Sequence, residues 1–194
     1  TTMGHGMYAG CSDASCFTKD STFDTLWVSG VGYQYGWGAY FAHGAQNNSL
    51  TNSIFYDGAY HGIFAGSTEF GDPNIIEGNA IWDMLYSGIY LQGGAVVRNN
   101  VIFNVDGNGI YVSDPERGTY DGIVISFNTV VNTGDYAAEI YGWTEFMSAV
   151  LTNNAFCNTV GYGVYLEVEE ASDTAYDINY PGYIQNNVIC GYTS

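Results

Sequence analysis

Positive charge is what this sequence has least of. Lys19, Arg98 and Arg117 stand against twenty Asp and Glu residues, for a formal net charge of -17. Three dispersed cations cannot neutralise a phosphate backbone, which excludes nucleic acid binding. Anionic membranes and anionic polysaccharides are repelled for the same reason unless a divalent cation bridges them. Long apolar runs are missing too: none approaches the roughly 20 residues that carry a helix across a bilayer, so no membrane insertion is expected. The sequence opens Thr1-Thr2 with neither a basic nor an apolar leader segment. A secretion signal is therefore expected to have been removed or to lie outside it.

What is abundant is Gly, with 26 residues, and Tyr, with 18, and both recur at fixed intervals. Residues 100–112 set the pattern. Asn100 opens the stretch, Gly109 stands nine positions later, and the apolar runs Val101-Ile102-Phe103 and Ile110-Tyr111-Val112 flank the gap. The same interval of nine separates Ser53 from Gly62, Asn79 from Gly88 and Asn154 from Gly163. Asn128 and Ala137 repeat it with Ala for Gly, and Ser29 and Gly38 repeat it more weakly. Successive anchors from Ser29 to Asn187 lie 24, 26, 21, 28, 26 and 33 residues apart. A core of constant length with one variable connection is the behaviour of a stacked solenoid. Units this short, with period-2 apolar patterning, predict β-coils and not helical hairpins.

Alternation assigns three strands to each coil, because successive side chains point to opposite faces. Val97 and its counterparts Leu26, Leu50, Ile76, Ile125, Leu151 and Ile184 are expected inward. So are Ile102 and its counterparts Val31, Phe55, Ile81, Val130, Phe156 and Ile189, together with the Ile110 and Val112 positions of the third strand. The anchors Asn79, Asn100, Asn128, Asn154 and Asn187 are expected to stack as a ladder, each amide donating and accepting along the axis.

In these residues the chain resembles the right-handed parallel β-helix repeat proteins, the superfamily that includes pectate-lyase-like enzymes and many surface proteins. The resemblance implies an all-β, right-handed parallel β-helix with three strands per coil. About five complete coils are expected in a single domain, residues 1–194, with partial coils at both ends. Gly6-Met7-Tyr8-Ala9 matches Gly109-Ile110-Tyr111-Val112 and reads as a third strand. Residues 10–24 read as a polar excursion carrying Cys11 and Cys16. The connections 66–73, 113–122, 141–148 and 167–182 leave one corner of the coil and read as solvated loops. A shared fold does not assign a function.

Four cysteines in an acidic, Tyr- and Asn-rich chain suggest an oxidising, extracellular or cell-surface setting. Cys157 and Cys190 share a register in successive coils. Stacked strands about 4.8 Å apart suit a disulfide between them, and Cys11 and Cys16 are placed to close a small loop; free thiols are the alternative.

The Tyr111 position lies between two inward residues and should face solvent. Tyr8, Tyr40, Phe64, Tyr90, Tyr111 and Tyr165 occupy it, interrupted by Glu139. Three readings stay open: a platform for a neutral glycan, a protein contact, or a self-stacking ladder. Tyr56, Trp82, Phe103, Val131, Cys157 and Cys190 form a second outward row. Asp57 and Asp83 share a turn position in adjacent coils. They are candidates for the carboxylate pair of a retaining glycosidase or for a Ca²⁺ site. The same position carries Asn104, Asn132 and Asn158, so turn formation also accounts for them. Glu139 is a further acid candidate. Arg98 is expected to pair with Glu77 in the preceding coil. His5 and His61 fall two coils apart, roughly 10 Å, too far to share a metal. No Ser-His-Asp set, phosphate-binding loop or basic constellation of the lyase kind is recognisable, and no cofactor is implied.

These features favour a non-catalytic extracellular scaffold, a segment of a surface or fibrous assembly, over a carbohydrate-active β-helix that binds or cleaves a neutral polysaccharide. The sequence starts on a third strand and stops after a second one. Head-to-tail self-association is therefore expected, unless further coils of a longer β-helix cap the ends.

Overall fold

The computed structural model describes residues 4–10, 18–31, 36–42, 44–66, 72–113, 122–143, 149–168 and 183–191. All its strands are parallel, in three sheets of seven and one pair, and no helix occurs among the described residues. Each full turn of the chain contributes one strand to each large sheet. The turn around Asn100 shows the unit: Ala95–Arg98, then Val101–Val105, then Ile110–Val112. Six such turns are complete, against about five expected. Met7–Ala9 adds a lone third strand at one end. Tyr183–Gln185 and Val188–Cys190 add a first and a second strand at the other.

Register follows the apolar alternation. Ile76, Val97, Ile125, Leu151 and Ile184 pair in series, as do Phe55, Ile81, Ile102, Val130, Phe156 and Ile189. Apart from the last layer's Ile184 and Ile189, these side chains are buried. They form one continuous column because a one-residue slip would turn every one of them to solvent.

The first coil departs from the expected register. Leu26, not Ser29, is level with Ser53; Val28, not Val31, pairs with Phe55; and Phe23 pairs with Leu50 in the place expected for Leu26. Twelve residues separate Leu26 from Gly38 where nine separate the later anchors from their glycines. Counting back nine from Gly38 therefore lands three residues late. Residues 18–24 accordingly belong to the solenoid and not to a polar excursion. Thr18–Lys19 pairs with Ala45–Gln46, and Thr22–Asp24 opens the first coil. Cys11 and Cys16 lie outside the described residues, as do most of the four long connections.

Between the first and second strands the chain turns sharply through one left-handed residue. Thr25, Asn52, Gly78, Asn99, Phe127, Asn153 and Asn186 hold it, with φ between +48° and +69°. The next residue is the rung. Asn100 N and Nδ2 both donate to Asn128 Oδ1 at 3.0 Å, and Nδ2 also donates to Ile76 O at 2.9 Å. Asn79, Asn128 and Asn154 repeat this pattern. Each amide is thus saturated without water, which is how a polar column survives in a dry interior. A shorter ladder precedes the first strands: Ser21 N donates to Asn48 Oδ1, and Asn48 N to Asn74 Oδ1.

The third strands begin at the recurrent glycines. A Cβ on Gly62 would meet Gly88 O and Ile81 Cγ2, each at 2.6 Å. The next coil lies directly over this backbone, and that close approach is the reason for glycine here.

Candidate functional site

The third-strand sheet carries the aromatic column where alternation puts it; Tyr8 is exposed, but the rings that follow it are not laid open. Tyr8 and Tyr40 stack at 5.2 Å between centroids, Tyr40 and Phe64 at 4.7 Å, and Tyr90 and Tyr111 at 5.0 Å. Phe64 points outward yet is only 4% exposed, because Trp37, Tyr40 and Tyr90 close over it. Outward direction and solvent exposure part company wherever neighbouring rings are large. Tyr90 Oη lies 2.8 Å from Ser113 Oγ and accepts from Gln92 Nε2 at 2.7 Å. Tyr165 stacks with Tyr136, which belongs to the corner and not to the row. On the second-strand sheet, Tyr56, Trp82 and Phe103 stack within 10° of parallel. That row ends in the Cys157–Cys190 disulfide, whose Cα atoms are 4.5 Å apart.

Just before each recurrent glycine lies a corner position that sequence reading did not single out as a group. It holds His5, Trp37, His61, Ser87, Asn108, Tyr136 and Tyr162. Three of them accept a backbone N–H from the coil above: His5 Nδ1 from Trp37, His61 Nδ1 from Ser87 at 3.1 Å, and Asn108 Oδ1 from Tyr136 at 3.1 Å. His61 is enclosed by Tyr60, Tyr86 and Tyr90. Burial disfavours its charged form and lowers its pKa to about 4; burial lowers that of His5 as well. The signal was available in sequence as an acceptor side chain preceding Gly in alternate coils. It was hidden because two residue types, His and Asn, share the job.

Asp57 and Asp83 sit side by side on paired strands, both exposed and both in the left-handed conformation, with φ of +54° and +52°. Asn104, Asn132 and Asn158 continue the column at +53° to +57°. Asx side chains are the non-glycine residues that tolerate this region best, so the backbone explains the column. Asn132 Nδ2 donates to Asn104 Oδ1 at 3.0 Å. These residues, with Asp106, Leu85 and Val160, line an open groove of about 530 Å³. Glu139 is not among its lining residues. It sits between Tyr111 and Tyr165 in the third-strand register, and its carboxylate accepts from Asn108 Nδ2 at 2.6 Å. The three acid candidates therefore do not converge on one point.

No group of three or more His, Cys, Asp or Glu able to hold a metal occurs among the described residues. Asp57 and Asp83 alone fall short of the six to eight oxygens that Ca²⁺ takes. Arg98 pairs with Glu77 at 2.8 Å on the surface, as expected, and holds its carboxyl below the usual range. No described helix is long and apolar enough to cross a membrane.

The family model described as right handed beta helix region matches residues 2–156. No curated protein and no solved structure matches the chain.

Proposed function

The chain belongs to the right-handed β-helix family, and on that premise we propose that it is a non-catalytic extracellular scaffold, part of a surface or fibrous assembly whose β-coil layers join end to end. The observation that carries this reading is the self-stacking along both outward aromatic rows, interrupted in the third-strand row where Phe64 meets Tyr90 edge to face. A ring binds a pyranose with its face. In Tyr56–Trp82–Phe103 and in Tyr90–Tyr111 the facing rings are within 10° and 21° of parallel, so ring faces cover one another and edges point outward. Such ladders stiffen a sheet. The Cys157–Cys190 bond extends the same row covalently and suits an oxidising exterior.

Titration with a panel of neutral oligosaccharides, paired with a reducing-sugar release assay, tests the scaffold reading. No binding and no release are expected; saturable binding lost in Trp82→Ala or Tyr90→Ala would overturn it.

A second reading is favoured by one observation, the groove beside Asp57 and Asp83. It sets three carboxylates and three carboxamides between the apolar Leu85 and Val160, a lining that suits a neutral glycan better than the stacked rings do. This reading moves the polysaccharide from the Tyr row to the corner. Loss of glycan binding in an Asp57→Ala, Asp83→Ala double variant, with binding intact in Tyr90→Ala, is its signature.

A further inference from the structure

Asparagine is frequent in this sequence, yet only Asn47 is followed two positions later by a Ser or Thr, in Asn47-Asn48-Ser49. The fold explains the scarcity. Two residues after each rung asparagine the chain needs an inward apolar side chain, and Ile81, Ile102, Val130, Phe156 and Ile189 supply it. Asn47 instead precedes the short ladder through Asn48 and Asn74, where the residue two positions on is the outward-facing Ser49, level with Thr22 and Ile75. Asn47 occupies the turn between Ala45–Gln46 and Ser49–Thr51, in the left-handed conformation at φ +49°. It is exposed, whereas Asn48 beside it is buried and committed to Thr18 O and Asn74 Oδ1. The Asn47 backbone N–H donates to Asp72 O at 3.0 Å, which fixes the turn. Its Nδ2 gives one hydrogen to Asp20 Oδ1 at 2.7 Å. The second Nδ2 hydrogen has no partner among the described residues.

Asn-x-Ser, with x other than Pro, is the sequence that asparagine-linked glycan transfer reads in secreted chains. We infer that Asn47 is the acceptor of an asparagine-linked glycan. In the transfer, Asn47 Nδ2 bonds to the anomeric carbon of a lipid-diphosphate-linked oligosaccharide. The bond from that carbon to the diphosphate breaks, the lipid diphosphate leaves, and one Nδ2 proton passes to a base. The remaining Nδ2 hydrogen serves Asp20, and the buried ladder through Asn48 is untouched, so the fold accepts the modification. The inference rests on the extracellular part of the proposed function and adds a site to it.

The test expresses the full chain behind a secretory leader in a eukaryotic cell line. Intact mass before and after peptide-N-glycosidase treatment reads occupancy on both exported and retained protein. The exported protein is expected to carry a glycan whose enzymatic release converts Asn47 to Asp in the peptide map. Ser49→Ala should abolish the glycan without touching the turn, and Asn47→Gly should abolish it while keeping the left-handed φ. Ser49→Thr should retain it, and circular dichroism verifies the fold of each variant. Export with the Cys157–Cys190 bond formed reports on the extracellular reading separately. Exported wild type without a glycan overturns the site and leaves that reading standing. A glycan confined to retained chain, or one that persists in Ser49→Ala, overturns the site as well. Wild type that is retained and bare overturns both.

Discussion

Asn100 and Asn104 are four residues apart on one coil, and each belongs to a column that passes through five coils. The inner column, Asn79 to Asn187, is asparagine throughout; the outer one mixes Asp57 and Asp83 with Asn104, Asn132 and Asn158. The difference lies in what each column asks of its side chain. An inner rung must donate twice and accept twice in a dry interior, and only a carboxamide does both. The outer column asks for a positive φ, and an exposed carboxylate meets that demand as well as an amide. The corner column falls between them. The task common to His5, His61 and Asn108 is to accept one backbone N–H; Asn108 also donates to Glu139.

The inner column gives the largest expected effect. Asn100→Asp keeps the oxygen that accepts from Asn79 but removes both Nδ2 donations, and it turns a carboxylate toward Asn128 Oδ1 in a site that is 1% exposed. A loss of about 4 kcal/mol is expected by chemical denaturation. A cost below 1 kcal/mol would mean that the column needs only an acceptor, and the contrast with the outer column would disappear.

The corner column sharpens the comparison through pH. In the folded protein burial holds the His61 pKa near 4, against an ordinary value of 6.5, so the unfolded chain binds the proton more readily. His61 therefore contributes its full stability above about pH 6.5. That contribution is lost as pH falls and is gone below about pH 4, a swing of ~3 kcal/mol. His61→Asn should keep the bond to Ser87, as Asn108 does for Tyr136, and flatten this part of the profile. Denaturation midpoints at several pH values between 4 and 7, compared between wild type and variant, measure the difference. Parallel profiles would show that protonation leaves the corner intact.

A bulky residue in a left-handed turn offers a gain. Phe127 occupies the position that Asn52, Asn99, Asn153 and Asn186 fill in other coils, at φ +57° and 58% exposed. Phe127→Asn should raise stability by about 1 kcal/mol, because Asx relieves the Cβ crowding of this conformation and little buried area is lost. An unchanged or lowered melting temperature would show that the Phe127 ring contributes contacts that outweigh the strain.

How much of this was legible beforehand follows from the same division. The inner column could be read directly, since its chemistry admits almost one residue type and its spacing to glycine is constant from Ser53 onward. The first coil was misread by three residues because Leu26 puts an apolar residue where later coils carry Ser or Asn, and the spacing to Gly38 was left as the only guide. The short ladder through Asn48 and Asn74 escaped notice: with two asparagines there is no period to count. Phe64 was assigned the correct face and the wrong exposure, since alternation fixes direction but carries no information about a ring arriving from Trp37. The acid candidates were placed correctly as neighbours, Asp57 beside Asp83, while the separation of Glu139 from their groove depends on how the corner folds.

The outer column gives the smallest effect and the most exacting test of the comparison. Asp57→Asn and Asp83→Asn together convert it to the residue already present at Asn104, Asn132 and Asn158. The left-handed φ is retained, because Asn tolerates it as well as Asp. The carboxylates are exposed and lie in a chain of formal charge -17, so removing two of them slightly relieves repulsion. Stability should stay within about 0.5 kcal/mol of wild type, as for surface changes generally. Under the scaffold reading no binding activity changes either. A loss above 2 kcal/mol, or a melting temperature that rises with added Ca²⁺ in the wild type and not in the double variant, would show the carboxylates are required as charges. The outer column would then need its chemistry as much as the inner one does.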